Sequence, residues 1–222
     1  MVRGRTARCA ESMIIAVDGS AASGKGTLAK RLAAHYNLAH LDTGALYRCL
    51  ALHLITDGRT ASDIRESEAA GAVDSIDLSL ANSPAIRTDA VAGMASIVAA
   101  MPAVRHNFVA LQRQFATRTR DHRGAILDGR DIGSVILPDA DFKFFIDADL
   151  EERAQRRTRE LQESGQSVMF RDVFEDMYER DRRDRERDTA PLKATEDAFV
   201  IDTTRRDADA VFAVAVSHIE GN

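Results

Sequence analysis

Gly19-Ser20-Ala21-Ala22-Ser23-Gly24-Lys25-Gly26-Thr27 sets two glycines five positions apart and follows the second with lysine. Small side chains there let backbone N–H groups turn inward around phosphate oxygens. A helix opening near Lys25 adds the positive end of its dipole. Lys25 itself supplies a full charge at the β- and γ-phosphates of a bound nucleotide. Residues 19–27 are therefore a candidate ATP cradle. The common form of such a loop has Ser or Thr directly after the lysine, where the hydroxyl binds Mg2+. Here Gly26 holds that place and Thr27 follows, which leaves the direct magnesium ligands open. A GTPase switch reads guanine with Asn-Lys-x-Asp. None of Asn37, Asn82, Asn107 and Asn222 begins that motif, which argues against such a switch and leaves an ATP-driven one standing.

A phosphate loop works only between a strand and a helix. Met13-Ile14-Ile15-Ala16-Val17-Asp18 is a short apolar run, the pattern of a strand covered on both faces. Leu28, Arg31, Leu32 and His35 then recur at helical spacing. Residues 39–42, 125–128, 142–147 and 198–202 read as four further buried strands. Helices are expected over 44–55, from Thr88 as N-cap to 100, from Pro102 to about 118, and over 150–163, 172–187 and 207–219. Residues 57–87 are weakly patterned: 63–72 has helical character, and 75–80 alternates like an exposed strand. Strands alternating with helices call for one α/β domain over 13–222, a five-stranded parallel sheet with helices on both faces. Ligands of such sheets sit at the carboxyl ends of the strands. Asp18-Gly19, Asp42-Thr43-Gly44, Asp128-Gly129-Arg130-Asp131 and Asp147 all fall there. Asp128 closes its run as a Walker B acid does, placed to reach Mg2+ through water.

Composition excludes other classes. The 222 residues carry a formal charge of −5, without the basic balance usual in nucleic-acid binders. No run of 18 apolar residues offers a membrane span. Neither nucleic acid nor membrane is thus an expected partner. Cys9 and Cys49 share no motif spacing, which leaves a reducing cytoplasm as the expected compartment. Residues 1–12 hold Arg3, Arg5 and Arg8 with no apolar run behind them, and read as a flexible tail rather than a secretory signal. The histidines, His35 and His40 among them, show no metal-ligand arrangement and read as structural or surface residues.

The Gly-Lys-Gly-Thr form at 24–27 is similar to that of nucleoside monophosphate kinases. Three further motifs follow in order: Asp42-Thr43-Gly44-Ala45-Leu46-Tyr47-Arg48, then Gly129-Arg130-Asp131-Ile132-Gly133, then Arg180-Asp181-Arg182-Arg183-Asp184-Arg185 with Pro191-Leu192 behind it. Together they resemble the bacterial cytidylate kinase family from about residue 13 to 219. The resemblance implies a P-loop kinase fold with a nucleotide-binding insert and a lid. It implies transfer of the γ-phosphoryl of ATP to CMP or dCMP, with Mg2+ accompanying ATP; a monomer is expected, though the sequence itself does not give the oligomeric state. The catalytic charges would be Lys25, Arg48, Arg130 and Arg180. Thr43, Tyr47, Arg48, Ser96, Arg105, Arg130, Asp131, Asp184 and Arg187 would bind CMP. Among these, Arg48 and Arg130 would hold the acceptor phosphate, with Arg180 and Arg187 approaching it from a later helix. Asp131 and Arg105 would read the base with Ser96 assisting, and Asp184 would take the sugar hydroxyls.

Those residue types fit the chemistry. An acceptor phosphate is already anionic, so transfer is mostly positioning and charge neutralisation, for which arginine's planar fork is suited. Cytosine offers an amino donor at N4 and acceptors at N3 and O2, complementary to a carboxylate and a guanidinium. Asp131 also stands where it could cap a short helix, and Ser96 where it could be plain helix surface. Over 151–171 the resemblance implies a mobile lid with Gly165 at its tip, bringing Arg153 and Arg157 to ATP. The same segment allows an i, i+4 ion pair of Glu152 with Arg156. The insert, about 57–100, looks shortened against the family, with one strand-like run. A UMP/CMP-type kinase and a non-enzymatic ATP-binding regulatory domain are the alternatives.

Overall fold

Val, Ile and Phe crowd the short runs, and such side chains suit a pleated surface covered on both sides. The computed structural model describes residues 12–118 and 121–221. In it these runs form β1 (Met13–Gly19), β2 (Ala39–Asp42), β3 (Gly124–Gly129), β4 (Phe142–Asp147) and β5 (Phe199–Asp202). All pair in parallel in the order β2-β3-β1-β4-β5. Parallel neighbours need crossover connections, usually helices. The helices are α1 (Lys25–Tyr36), α2 (Thr43–Thr56), α3 (Glu66–Gly71), α4 (Asp89–Val98), α5 (Pro102–Thr117), α6 (Leu150–Glu163), α7 (Phe170–Glu186) and α8 (Ala208–Glu220).

Leu28 and Leu32 of α1 and Val211 and Ala215 of α8 pack with Ile15, Val17, Phe144 and Ile201 of the sheet. Ala16, Ala125 and Leu127 meet Ile132 and Ile136 in a second cluster. A third joins Leu50 of α2, Val98 of α4 and Phe108 of α5. The register sets Asp18 beside Gly129, Asp42 beside Asp128 and Gly19 beside Ile146, so the polar strand ends form one row.

Helix starts follow their caps. Thr88 Oγ1 accepts from the Val91 N–H at 3.3 Å, Asp207 Oδ1 accepts from that of Ala210 at 2.8 Å, and Pro102 opens α5. Residues 75–80 are not a strand. Short 3₁₀ turns run over Val73–Ser75, Leu78–Asn82 and Pro84–Arg87. The Asp77 carboxylate captures the Ser79 N–H at 2.9 Å, and Ser83 Oγ that of Ala85 at 3.2 Å. Such local bonds give the backbone an alternative to a ladder. The expected tail falls, apart from Ser12, outside the described residues. Among the described residues no single helix is long and apolar enough to cross a membrane.

Candidate active site

Strand β1 runs directly into the glycine-rich loop. A Cβ added at Gly19 would stand 2.0 Å from the Ile146 carbonyl oxygen, so only glycine lets the ends of β1 and β4 close up. Ala22 and Gly24 have φ of +55° and +91°, left-handed geometry of the kind that turns N–H groups into an anion nest. Other elements grip the loop from outside. Thr203 Oγ1 donates to the Ser23 carbonyl at 2.9 Å, Arg153 Nη1 to the Ala21 carbonyl at 3.2 Å, and Ser20 Oγ to Asp147 Oδ1 at 2.5 Å. With these carbonyls engaged, the loop's N–H groups and the start of α1 remain for an anion. Lys25 Nζ rests on the Ser20 carbonyl at 3.2 Å. Burial, and after it the Arg130 charge, brings the Lys25 pKa down to about 7.

A cleft of about 420 Å³ lies in front of Lys25, and Arg48, Arg130, Arg157 and Arg180 line it. Burial, followed by Arg130, holds Arg180 down at about 9, and among the described residues its buried Nε has no hydrogen-bond partner. Burial lowers Arg48 too. Desolvated like charges at such proximity are costly, and an anionic ligand relieves the cost. Asp184 aims Arg130, accepting from its Nε at 2.9 Å. Burial alone would raise the Asp184 carboxyl, but the Arg130 and Arg180 charges hold it below the usual range. Arg157 spans from α6 to Asp89 at the start of α4, at 3.1 Å.

The far end of the cleft is built differently. Arg105 of α5 and Asp131 form a buried ion pair, and Arg105 Nη1 also donates to the Ala99 carbonyl at 3.0 Å. The Arg105 guanidinium lies 6.0 Å over the Tyr47 ring, which packs edge-on against Phe108. Thr43 Oγ1 donates to the Asp128 carbonyl at 2.8 Å. Ser96 is buried at the cleft wall, not plain helix surface, and Arg183 Nη1 donates to its Oγ at 2.8 Å. Arg187 lines the same cleft as Arg48, Arg130 and Arg180, with its Nη2 4.0 Å from Asp131 Oδ1. It stands at the end of α7, where Nε donates to the Ala190 carbonyl at 2.8 Å and Nη1 to that of Ala99 at 3.4 Å.

Asp131 does not cap the short π-helical turn Ile132–Ile136 with its side chain. That task falls to Asp18 on β1, whose Oδ1 and Oδ2 accept from the Ile132 and Gly133 N–H groups, each at 2.7 Å. Asp131 is thereby left free to face the cleft. Burial raises the Asp18 carboxyl to about 7 against the pull of those two bonds. Asp18→Ala leaves two buried donors unpaired, at about 1–3 kcal/mol each. The expected result is a clear fall in the urea midpoint; an unchanged midpoint would show that the turn does not depend on Asp18. His40 was likewise passed over in the sequence. Its Nε2 stands 2.7 Å from Asp128 Oδ2, inside the cleft. Two positions before Asp42 along β2, it shares that residue's face of the strand, which was the available signal.

Arg153 departs from the expected mobile lid residue. It is 2% exposed, with Nη2 on Asp181 at 2.6 Å and Nε on the Ala148 carbonyl at 2.7 Å. In the first turn of α6 it faces both the phosphate loop and α7, where a buried guanidinium needs such partners. Glu152 and Arg156 pair at 3.3 Å as expected. A second cavity, of about 650 Å³, opens beside Asp147, Arg153, Arg185 and Thr204. It adjoins the loop through the Ser20–Asp147 bond.

Comparison with known proteins finds relatives over nearly the whole chain. The family model for cytidylate kinase matches residues 15–221. A cytidylate kinase of Methylocella silvestris is 51% identical over 208 residues, covering 94% of either chain. Those of Bradyrhizobium sp. and Nitrobacter winogradskyi are 46% and 47% identical over the same length, each covering 94% of this chain and 96% of their own. Among solved structures, an uncharacterized protein from Eubacterium ventriosum superposes with a TM-score of 0.52 at 17% identity, covering 95% of this chain and 99% of that one. That likeness speaks to the fold alone.

Proposed function

The chain belongs to the cytidylate kinase family, and on that premise we propose that it transfers the γ-phosphoryl group of ATP to CMP or dCMP, giving ADP and CDP or dCDP. The observation that carries this reading is the continuity of one cleft. The phosphate loop with Lys25 stands at one end, three arginines in the middle, and the Arg105–Asp131 pair at the other. A donor triphosphate in the loop and an acceptor monophosphate among the arginines would meet with their phosphates adjacent.

In this reading the triphosphate lies in residues 19–27, and its base reaches the second cavity, beside Asp147, Arg153 and Thr204. An oxygen of the acceptor phosphate attacks the γ-phosphorus, and the bond to the β-phosphate oxygen breaks. No strong base is needed, because the nucleophile is already anionic. Lys25 neutralises the leaving side, while Arg48, Arg130 and Arg180 hold the acceptor phosphate and the moving charge. Asp131 accepts from the cytosine N4 amino group, and Arg105 donates to a ring acceptor. Asp184 aims Arg130 and takes the sugar hydroxyls. Arg157 closes over the phosphates from α6, with residues 151–171 as lid and about 57–100 as the acceptor-binding insert.

The donor set suits Mg2+. Among the described residues no three His, Cys, Asp or Glu side chains cluster as metal ligands. Mg2+ asks for less, since it keeps most of its waters and takes one or two carboxylates plus phosphates. Asp128 fits that part. Its Oδ2 meets His40, and its Oδ1 lies 3.7 Å from where a Cβ on Gly26 would stand, against the phosphate loop. When bound, the ion neutralises charge on the β- and γ-phosphates.

The test is ADP formation with CMP, dCMP, UMP and AMP offered in turn. Turnover with CMP and dCMP well above UMP and AMP is expected. Equal use of UMP would make it a UMP/CMP-type kinase. ATP binding without turnover on any acceptor would leave only a nucleotide-binding regulatory domain.

A further inference from the structure

We propose that Arg183 sets cytosine selectivity through Ser96, holding the Ser96 hydroxyl as a hydrogen-bond donor toward N3 of the base. The proposal rests on the cleft being the CMP site. Ser96 stands on α4, buried at the cleft wall, and Arg183 on α7 reaches across to it, Nη1 to Oγ at 2.8 Å.

A guanidinium has donors and no acceptor, so the hydroxyl must accept from it. One lone pair of Oγ is thus committed, and the hydrogen is left to point elsewhere. A mid-helix serine commonly directs that hydrogen to the carbonyl four residues back. Among the described residues Ser96 makes no such bond. Accepting from a charged donor also polarises the O–H and strengthens it as a donor. Facing the cleft, it is therefore a donor and a poor acceptor.

Cytosine and uracil differ at N3 in the sense this donor reads. Cytosine N3 is an acceptor, whereas uracil N3 carries a hydrogen. The hydroxyl bonds the first and opposes the second, donor against donor. Without Arg183 the hydroxyl could rotate and accept from uracil N3–H. Arg183 touches no substrate atom in this scheme and is a positioning residue. Its neighbour in sequence, Asp184, aims Arg130, so one turn of α7 orders both the phosphate and the base ends of the acceptor site.

A double-mutant cycle tests this, with Arg183→Met, Ser96→Ala and the pair, each shown to be folded by its unfolding midpoint. Arg183→Met is expected to raise KM for CMP by roughly tenfold, the scale of one charge-assisted bond, and to leave KM for ATP unchanged. The CMP to UMP ratio of kcat/KM should fall in step. In the Ser96→Ala background, Arg183→Met should add nothing. Arg183→Lys, which keeps a donor, should recover part of the loss and serves where the methionine variant is unstable. Multiplicative effects in the double variant, an unchanged CMP to UMP ratio, or an equal rise in KM for ATP would each overturn the proposal. Those failures differ from failure of the CMP reading, in which the unmodified enzyme itself does not turn over CMP.

Discussion

Lys25→Met is expected to lower kcat by about 10²- to 10³-fold or more, the scale on which one preorganised donor to transition-state charge acts. The fold should survive, because the hydrogen bond that the ammonium makes is to the Ser20 carbonyl of its own loop. Without nucleotide the variant should even be the more stable protein. Burial lowers the Lys25 pKa from 10.5 to about 7 in the folded chain, so between those values the unfolded chain holds a proton that the folded one gives up. Stability from this group therefore rises with pH across that window, and methionine removes the dependence. The same shift has a signature in binding. At pH 8.5, well above that value, the free enzyme is expected to carry neutral Lys25, and the phosphates of ATP pull its pKa back up, so binding takes up protons. Calorimetry in two buffers of different ionisation enthalpy should show that uptake in the unmodified enzyme and lose it in Lys25→Met. Equal uptake in both proteins, or near-normal turnover in the variant, would remove Lys25 from the phosphate site.

Local patterns revealed much of this site. The loop at 19–27 declares itself through glycine spacing between an apolar run and a helical one, and each of the five strands is a short apolar run with a charged or turn-forming end. What sequence could not reveal depends on register. Asp18 meets the N–H groups of Ile132 and Gly133 because β1 lies beside β3, a pairing of residues more than a hundred positions apart. His40 reaches Asp128 for the same kind of reason, across β2 and β3. Arg153 misled differently. In a helix as rich in arginine as α6, one buried guanidinium is indistinguishable by spacing from its solvated neighbours, and only the arrival of Asp181 from α7 separates them. Residues 75–80 alternate convincingly, but Asp77 and Ser83 turn the chain on themselves, and among the described residues no neighbouring strand competes for those N–H groups.

Asp131→Asn should change the choice of base more than any other single replacement. Uracil has a carbonyl where cytosine has its N4 amino group, so the carboxylate, although Arg105 balances its charge, there faces an acceptor with no hydrogen between the two oxygens. Sites built on buried polar groups reject such a partner strongly. An asparagine amide can present either a donor or an acceptor, and the rejection relaxes. The kcat/KM ratio of CMP to UMP is expected to fall by roughly tenfold or more, corresponding to about 1–3 kcal/mol for one discriminating contact. Stability should fall as well. Asp131 pairs with buried Arg105 and lies 4.0 Å from Arg187, and both arginines also lean on the Ala99 carbonyl. Removing the anion between two guanidiniums costs up to about 3–5 kcal/mol where a buried pair is broken outright, and less where an amide oxygen still accepts. The rates must accordingly be compared below the variant's unfolding transition, where the ratio of two substrates on one protein cancels any loss of folded enzyme. Arg48→Ala supplies the contrast. It removes charge from the part of the cleft assigned to the acceptor phosphate, a group common to CMP and UMP, so both should suffer alike and the ratio should hold. If Asp131→Asn instead lowers both substrates equally, the Arg105–Asp131 pair is a structural tie between α5 and the loop after β3, and the base is read elsewhere in the cleft.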